Sequence, residues 1–427
     1  MSDDDAPRVV RPVRNQLSLQ PMDLEALVPE DHPARGIWAL VERLDLSLFY
    51  DEIEARGETA GRPATDPAVL LALWLFANSE GVGSARLLER LCERDAPYRW
   101  ICGGVPVNYH TLSDFRVKHG GKLDRLMTQV LAVLMKEGVV QLKRVAQDGM
   151  KIRASAGAAS FRRRQSLERC SKEAEEQVRK LRREIAEDPS ASSKRVSAAK
   201  ERAAKARLDA VEAALAELPK IEELRAERNA SKPSDAKRRG EIRVSTTDAE
   251  CRVMKMADGG YRPAYNVQLA TDSSGFIVGA EVTNRGVDQP HVAPMLDEIK
   301  RRTRKTPREY LVDGGFVTRE NIQVVSERGA TPYAPVPMPR KAGVDPHAPK
   351  EGDTPEIAAW RHRMATIEAK RIYVQRGVLA ERTNADLRVH RRLDRLNVRG
   401  LEKVKTVVLL AALSFNLLRL IGTGLLS

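Results

Sequence analysis

The sequence predicts a mixed α/β sheet that is interrupted by a charged helical hairpin and preceded by an all-α domain. Three patterns predict it. Residues 1–143 carry apolar residues at helical spacing, residues 158–245 are highly charged with narrow apolar seams, and the chain after Tyr261 alternates short apolar runs with helical segments. At 427 residues the chain can hold several domains. We therefore predict one domain over 1–143 and a second over 144–427, with 158–245 as an insertion.

The first domain is predicted to be built around residues 69–76, an apolar run that follows the cap and first-turn proline of Asp66-Pro67. Ser84 can cap the next helix, and further helical patterns cover 111–118 and 122–135. Two short helices joined by a glycine-containing turn could form a helix-turn-helix. Outward-facing arginines are equally typical of a solvated helical surface, so both interpretations stay open.

The insertion is predicted to be an antiparallel pair of helices. Apolar residues recur at alternating three and four positions over 167–185 and again over 204–218, and a proline- and serine-rich turn at 189–193 separates them. The pattern leaves the role of the hairpin open between gripping DNA, dimerisation and a solvated protrusion.

The second domain is predicted to start with a strand that ends at Asp148 and to resume after the insertion. Strands are predicted at 265–271 and 276–282, joined by a turn at 272–275, and a third at 310–312. Helical patterns with inward apolar residues complete it: Val292 to Ile299, a helix that ends near Gly329, a helix from Thr354 with Ile357, Trp360, Met364 and Ile367 inward, and a buried helix over 404–421, with an extended run at 331–336 between them.

Charge and composition favour a polyanionic partner. Lys and Arg number 72 against 59 Asp and Glu, which gives a net charge of +13 and a pI near 9.6. Cys92, Cys102, Cys170 and Cys251 form no CxxC pair and are expected to be buried thiols in a reducing compartment.

Several classes of protein are not indicated. The chain start has no secretory h-region, and charged residues interrupt the apolar run at 404–421, so we expect a cytoplasmic chain without a membrane span. No phosphate-binding loop, dinucleotide fingerprint or HExxH motif is present, which argues against a nucleotide cofactor or a zinc enzyme.

Three acids are candidates for a shared site. Asp148 and Asp313 each follow a short apolar run and precede glycine, which predicts a strand end where the chain turns out to solvent. Glu381 lies among basic residues on a predicted helix. Two strand-end aspartates and a glutamate on a facing helix suit a divalent-metal site.

Such a site has a recognisable chemistry. Carboxylates are hard oxygen ligands of the kind Mg²⁺ prefers, and two ions about 4 Å apart can activate an attacking water or hydroxyl and stabilise the leaving oxygen at phosphorus. Spacing alone does not decide this, because Asp-Gly is also a common turn. Asp248, Asp386 and Asp394 are the competing acids.

Several motifs of the chain belong together. They are the run Tyr373 to Glu381 with Arg388, Gln147-Asp148-Gly149, Val312 to Phe316, Arg262 to Gln268, and the helical motifs Asp66 to Leu75, Gly83 to Arg86 and Tyr109 to Arg116. Taken together, these motifs resemble the Tyr-Arg-Glu-Lys signature group of bacterial insertion-sequence DDE transposases. The motifs occur in the family's order and cover nearly the whole chain, except for the insertion and residues 1–20.

The resemblance implies an RNase H-like catalytic domain in which Asp148, Asp313 and Glu381 are catalytic and hold two Mg²⁺ ions, with Mn²⁺ able to substitute. It implies nicking at transposon ends and strand transfer into target DNA. Tyr373, Arg376 and Arg388 would contact DNA or steady Glu381. The implied partners are double-stranded DNA, meaning terminal inverted repeats and target, and a second copy of the chain assembled on DNA in the bacterial cytoplasm.

The chain departs from the signature in two places. Arg388 stands where Lys is usual, and Glu381 follows Arg376 by five residues where many relatives have four. On an α-helix that extra residue turns Glu381 roughly 100° further round. Two alternatives stay open: a transposase-derived DNA-binding protein that has lost catalysis, and an RNase H-like nuclease without strand transfer.

Overall fold

The fold is described from a computed structural model, which describes residues 23–56, 63–187, 191–231, 240–339 and 343–423. The chain combines a helical N-terminal region with a mixed sheet. The helices of the first region are α1 (Pro33–Glu42), α2 (Ser47–Tyr50), α3 (Pro67–Ser79), α4 (Ala85–Arg94), α5 (Ala96–Cys102), α6 (Tyr109–Lys118) and α7 (Gly120–Lys136).

Helix α3 is the centre of the helical region, as its apolar run predicts. Asp66 accepts a hydrogen bond from the Ala68 amide at 2.8 Å, and Pro67 occupies the first turn. Trp74 is fully buried and donates its indole N–H to the Leu112 carbonyl of α6 at 2.9 Å. A buried indole needs such a partner, so this bond fixes α3 against α6.

A six-stranded mixed sheet forms the second region. Its strands are β1 (Arg144–Arg153), β4 (Arg252–Lys255), β5 (Tyr261–Asp272), β6 (Ile277–Thr283), β7 (Glu309–Leu311) and β8 (Thr331–Tyr333). The sheet order is β4-β5-β1-β7-β8, and β6 pairs with β5 on the same edge as β4. Strand β5 is antiparallel to β1, β4 and β6, whereas β1, β7 and β8 are mutually parallel neighbours.

The remaining helices follow the sheet strands in the order that the sequence predicts. They are α10 (Val292–Thr303), α11 (Arg319–Glu327), α12 (Pro355–Ala365), α13 (Ile367–Arg376), the short α14 (Arg382–Ala385) and α15 (Leu401–Ile421). Ile367 is an exception to the predicted burial, since its side chain is 73% exposed. Thr366 has an extended backbone and caps α13, so Ile367 begins a new helix and leaves the face that carries Trp360.

Helix α15 joins the two regions into one core. It packs against α3, α7 and β6. The Ser414 hydroxyl donates to the Leu75 carbonyl of α3 at 2.9 Å, and Asn416 exchanges two hydrogen bonds with the backbone of Ile277 in β6. By length and composition α15 could cross a membrane, but 72% of its apolar window is buried inside the chain, and one such helix is weak evidence for a span.

The insertion forms the predicted pair of helices, α8 (Arg164–Glu187) and α9 (Ala191–Ser231). Residues 189 and 190 of the expected turn lie outside the described residues, whereas 191–193 are helical, so the turn prediction was too long. Helix α9 continues through Pro219 to Ser231, beyond the apolar repeat that ends at residue 218. Strands β2 (Phe161–Arg162) and β3 (Val244–Ser245) pair at the base of the hairpin.

All four cysteines are free thiols. Cys102 and Cys251 are buried as expected, and Cys92 and Cys170 are half-buried.

Candidate active site

Asp148 lies inside strand β1 rather than at its end, so the prediction of a strand end was wrong. Its Cα is paired with Leu269 of β5, and β1 continues to Arg153. Glycine is needed at position 149 because neighbouring side chains pack closely against it, and not because the chain turns there. A Cβ at this position would lie 2.4 Å from Oδ1 of Asp288 and 2.6 Å from Nε2 of Gln268.

Asp313 does lie past a strand end, as predicted. Strand β7 ends at Leu311, and Asp313 caps a 3₁₀ turn over Gly314–Phe316 by accepting a hydrogen bond from the Gly315 amide at 2.7 Å. The parallel pairing of β1 with β7 covers only 144–146 against 309–311. Asp148 and Asp313 therefore each lie two residues beyond the last pair between β1 and β7, Ala146 with Leu311.

Glu381 is on a helix that faces β1. Hydrogen bonds connect this helix to the sheet. In the first, the side-chain amide of Asn384 donates to Oδ2 of Asp148 at 2.9 Å. A second is the pair of hydroxyls of Thr271 in β5 and Thr383, 3.3 Å apart. Gln375 precedes Glu381 in the chain, and its side chain accepts a hydrogen bond from Arg144 of β1. Arg144 also forms an ion pair with Glu309 of β7.

The helix changes from α-helical to π-helical geometry between Arg376 and Glu381, the two residues whose spacing departs from the signature. Gly377–Glu381 and Asp386–His390 are π-helical, whereas Ile367–Arg376 is α-helical. A π-turn bonds residue i to i+5, so residues five apart share a face. The expected rotation of Glu381 away from Arg376 therefore does not occur. Nη2 of Arg376 and Oε1 of Glu381 are 2.9 Å apart.

Arg376 lies at the centre of the charges. Burial opposes its charge, but Tyr373, Asp148, Asp313 and Glu381 around it raise the pKa of the guanidinium. Its Cζ is 6.0 Å from the centroid of the Tyr373 ring. The Arg376 side chain is 16% exposed and that of Glu381 is 62% exposed, so the pair bridges the buried and open parts of the site.

Burial raises the pKa of Asp148, which the neighbouring carboxylates of Asp313 and Asp288 raise further. The Gly149 amide and Arg376 act in the opposite direction. Neighbouring like charges disfavour the ionised form of Asp148. A bound cation would relieve this repulsion.

The acids do not form a closed metal cage in this structure. Within the described ranges, no group of three or more His, Cys, Asp or Glu side chains is arranged to hold a metal ion. Asp148 and Asp313 are brought within electrostatic reach of one another, whereas the Glu381 carboxylate is turned to Arg376. Arg388 is half-buried at the second π-helical segment.

Two of the three competing acids, Asp248 and Asp386, are bound by other side chains, and the third, Asp394, is exposed. Asp248 is buried and accepts a hydrogen bond from the Tyr265 hydroxyl at 2.7 Å. Asp386 pairs with Arg391, and Asp394 is exposed, with its carbonyl accepting from the Arg153 amide.

Sequence reasoning missed two residues here, Asp288 and Asn384. Asp288 follows β6 and is held by Lys151, Asn266 and Gln268. A signal was present, because Asn266 and Gln268 interrupt an otherwise apolar strand and buried amides require partners. Nothing in the sequence identified Asp288 as that partner.

Two family models match the chain. The one described as "Transposase domain (DUF772)" matches residues 22–118, and the one described as "Transposase DDE domain" matches residues 235–417. The second range includes Asp313 and Glu381 and begins near the end of the insertion. No curated protein and no solved structure matches the chain. Members of the family use divalent metal ions. The chain belongs to the insertion-sequence DDE transposases, which act on DNA.

Proposed function

We propose that this chain is an active transposase that nicks DNA at transposon ends and joins those ends to target DNA, using Asp148, Asp313 and Glu381 with two Mg²⁺ ions. The observation that carries the proposal is the convergence of three separate elements. Strand β1, the turn after β7 and the π-helical segment bring Asp148, Asp313 and Glu381 around Arg376. These residues are 165 and 68 positions apart in the chain, counted from Asp148 to Asp313 and on to Glu381.

The sheet supports an RNase H-like catalytic domain. Three strands on one side are antiparallel to their neighbours, and two parallel strands follow on the other side of β1. The same proposal includes the division into a helical domain over 1–143 and a catalytic domain over 144–427 with 158–245 inserted. The insertion has its own small apolar cluster, which contains Leu167, Val211, Ala214, Leu218 and Val244.

Each acid has its own part. Asp148 is fixed by the strand and by Asn384, so its carboxylate is pre-oriented. Asp313 is fixed by its turn, and Glu381 is exposed and free to exchange Arg376 for another partner. When bound, divalent ions would lower the pKa of the attacking water or hydroxyl and stabilise the leaving oxygen.

The cations on the same helix are proposed to hold the DNA strand. Arg376 offers a planar fork that fits a phosphate bidentately, and its Cζ lies 6.0 Å from the centroid of the Tyr373 ring. Arg388 lies on the second π-helical segment, Asp386–His390. The net charge of +13 adds a sequence-independent attraction to DNA, which weakens as salt rises. Pairing two transposon ends would require two copies of the chain. We infer that the chain acts at the nucleoid in the bacterial cytoplasm, where its DNA substrate lies.

The test is cleavage of DNA that carries the element's own terminal repeats. With Mg²⁺ or Mn²⁺ we expect nicked ends and joined products. Asp148→Asn, Asp313→Asn and Glu381→Gln should each lower cleavage by about 10³-fold or more, because each removes a charged metal ligand. DNA binding should survive. Asp394→Asn is the matched control and should cleave as the wild type does, since Asp394 is an exposed acid outside the site.

Two outcomes would favour the rival functions. Binding to terminal repeats without any cleavage in either metal would indicate a DNA-binding protein that has lost catalysis. Cleavage without joined products would indicate a nuclease without strand transfer.

A further inference from the structure

Asp288 holds together the elements that carry Asp148 and Asp313. Its Oδ1 accepts hydrogen bonds from Asn266 and Gln268 of β5, each at 2.8 Å. Its Oδ2 accepts from Nζ of Lys151 in β1 at 2.9 Å. Asn266 and Gln268 are fully buried, and the carboxylate is 21% exposed. A carboxylate with these partners is held in one orientation.

The carboxylate lies against both Asp-Gly motifs. A Cβ on Gly149 would come within 2.4 Å of its Oδ1, and a Cβ on Gly315 would lie 3.9 Å from its Oδ2. Side chains alternate along a strand, so Gly149 and Lys151 face the opposite side of β1 from Asp148. Asp288 therefore supports the site from behind and is not placed as a ligand beside Asp148.

Neighbouring residues of the same segment extend this support. The Gln147 side-chain amide donates to the His291 carbonyl at 3.0 Å, which ties the segment to β1. The Asn321 side-chain amide donates to the carbonyls of Gln289 at 2.8 Å and Phe316 at 2.7 Å, which ties it to the turn after Asp313. We call residues 288–291 the brace.

The brace is needed because the sheet ladder stops short of the site. Strands β1 and β7 are paired only as far as Ala146 and Leu311, so no bond between these strands fixes Asp148 relative to Asp313. The brace contacts both elements beyond that point and is anchored on β5.

We propose that Asp288 is a positioning residue that sets the separation of Asp148 and Asp313 and so the affinity of the site for divalent metal. This inference rests on the proposed function, since it assumes that the two aspartates bind metal. Loss of a partner that orients a ligand typically lowers metal affinity by about 10- to 100-fold. The expected defect is in metal affinity, with little change in DNA binding.

The experiment is a Mn²⁺ titration of the full chain followed by electron paramagnetic resonance, together with cleavage at rising Mn²⁺. Asp288→Ala should weaken Mn²⁺ binding by about 10-fold or more, and saturating Mn²⁺ should restore most of the cleavage rate. A general loss of structure would lower the rate at all Mn²⁺ concentrations. Asp297→Ala is the matched control, because Asp297 lies on the adjoining α10 and pairs with Arg328 at 2.8 Å away from the brace. It should bind Mn²⁺ as the wild type does.

A second variant covers the case in which Asp288→Ala does not fold. Asp288→Asn retains an oxygen for Asn266 and Gln268 but loses the charge that pairs with Lys151, so it should weaken Mn²⁺ binding by a smaller factor. Wild-type binding that is lost in Asp148→Asn establishes the metal site itself. With that established, unchanged Mn²⁺ affinity in the folded Asp288 variants would overturn the positioning role alone. A wild-type chain that binds no Mn²⁺ would overturn the proposed function as well.

Discussion

The Asp-Gly pair at 148–149 continues strand β1, whereas the same pair at 313–314 leaves strand β7 and begins a turn. Gly149 has no room for a side chain, because Asp288 and Gln268 occupy that space on the face of β1 opposite the Asp148 side chain. Gly314 has room, since its nearest neighbour would be Pro335 at 3.6 Å. One dipeptide therefore serves two structural purposes, and tertiary contacts decide which.

Replacing each of the two glycines with alanine tests this difference. We expect Gly149→Ala to have the largest effect on the free energy of unfolding. Gly149→Ala forces a methyl group into a packed polar cluster, and overpacking of this kind costs about 1–3 kcal/mol of unfolding free energy. Gly314→Ala should change it by less than about 0.5 kcal/mol. Urea denaturation of both variants measures the difference. Equal midpoints would show that Asp288 does not hold Gly149 as described.

Removing the partner of Asp148 should have a smaller effect. Asn384→Ala deletes the amide that donates to Oδ2 of Asp148 and leaves a half-buried carboxylate without it, which should cost about 1–2 kcal/mol. Gln323→Ala is the control, because it breaks an exposed hydrogen bond of 2.8 Å from the Gln323 amide to the Glu327 carboxylate. The same urea series measures both. A cost for Asn384→Ala no larger than that of the control would contradict the account.

Asp148→Asn should make the chain more stable near neutral pH while it abolishes cleavage. Burial raises the pKa of Asp148 in the folded chain above its unfolded value of about 3.9. The stability associated with this group is therefore complete below the unfolded pKa and is lost as the pH rises through the folded pKa. The thermal midpoint of Asp148→Asn minus that of the wild type should increase from pH 4 to pH 7. A difference that falls over this range would contradict the raised pKa.

The smallest effect on stability is expected at the third acid. Glu381 is 62% exposed and pairs with Arg376 at 2.9 Å, and exposed ion pairs contribute about 0–1 kcal/mol. Glu381→Gln should therefore change unfolding free energy by less than about 0.5 kcal/mol, although cleavage is lost. Thermal denaturation beside the cleavage assay tests this. A large loss of stability would mean that Glu381 supports the fold instead of the reaction.

How far the sequence predicts the structure follows from whether a contact is local. The capped apolar helix α3, the β5–β6 hairpin and the strand before Asp313 were predicted from patterns within a few residues, and the structure confirms them. Asp148 was misplaced because Asp-Gly signals a turn locally, while the pairing with β5 is set more than a hundred residues away. Ile367 was predicted inward because the break at Thr366 interrupts a pattern that otherwise continues.

The candidate site shows the same division. Asp148, Asp313 and Glu381 are recognisable from their motifs, and the structure gathers their elements around Arg376. The π-helical repeat that keeps Glu381 beside Arg376 leaves no periodic pattern in five residues. The contacts of the brace could not be predicted, because they join residues 288–291 to β1, β5 and α11, which are far from one another in the sequence.

Iron-directed backbone cleavage tests the central claim most directly. Fe²⁺ bound in place of Mg²⁺ reduces added hydrogen peroxide to hydroxide and a hydroxyl radical, and ascorbate reduces the resulting Fe³⁺ back to Fe²⁺. The radicals cut the chain close to the metal ligands, and mass spectrometry locates the cuts. The account predicts cuts within a few residues of Asp148, Asp313 and Glu381, all suppressed by excess Mg²⁺ and by Asp148→Asn. Cuts near Asp148 and Asp313 with none near Glu381 would contradict a single site built from all three acids.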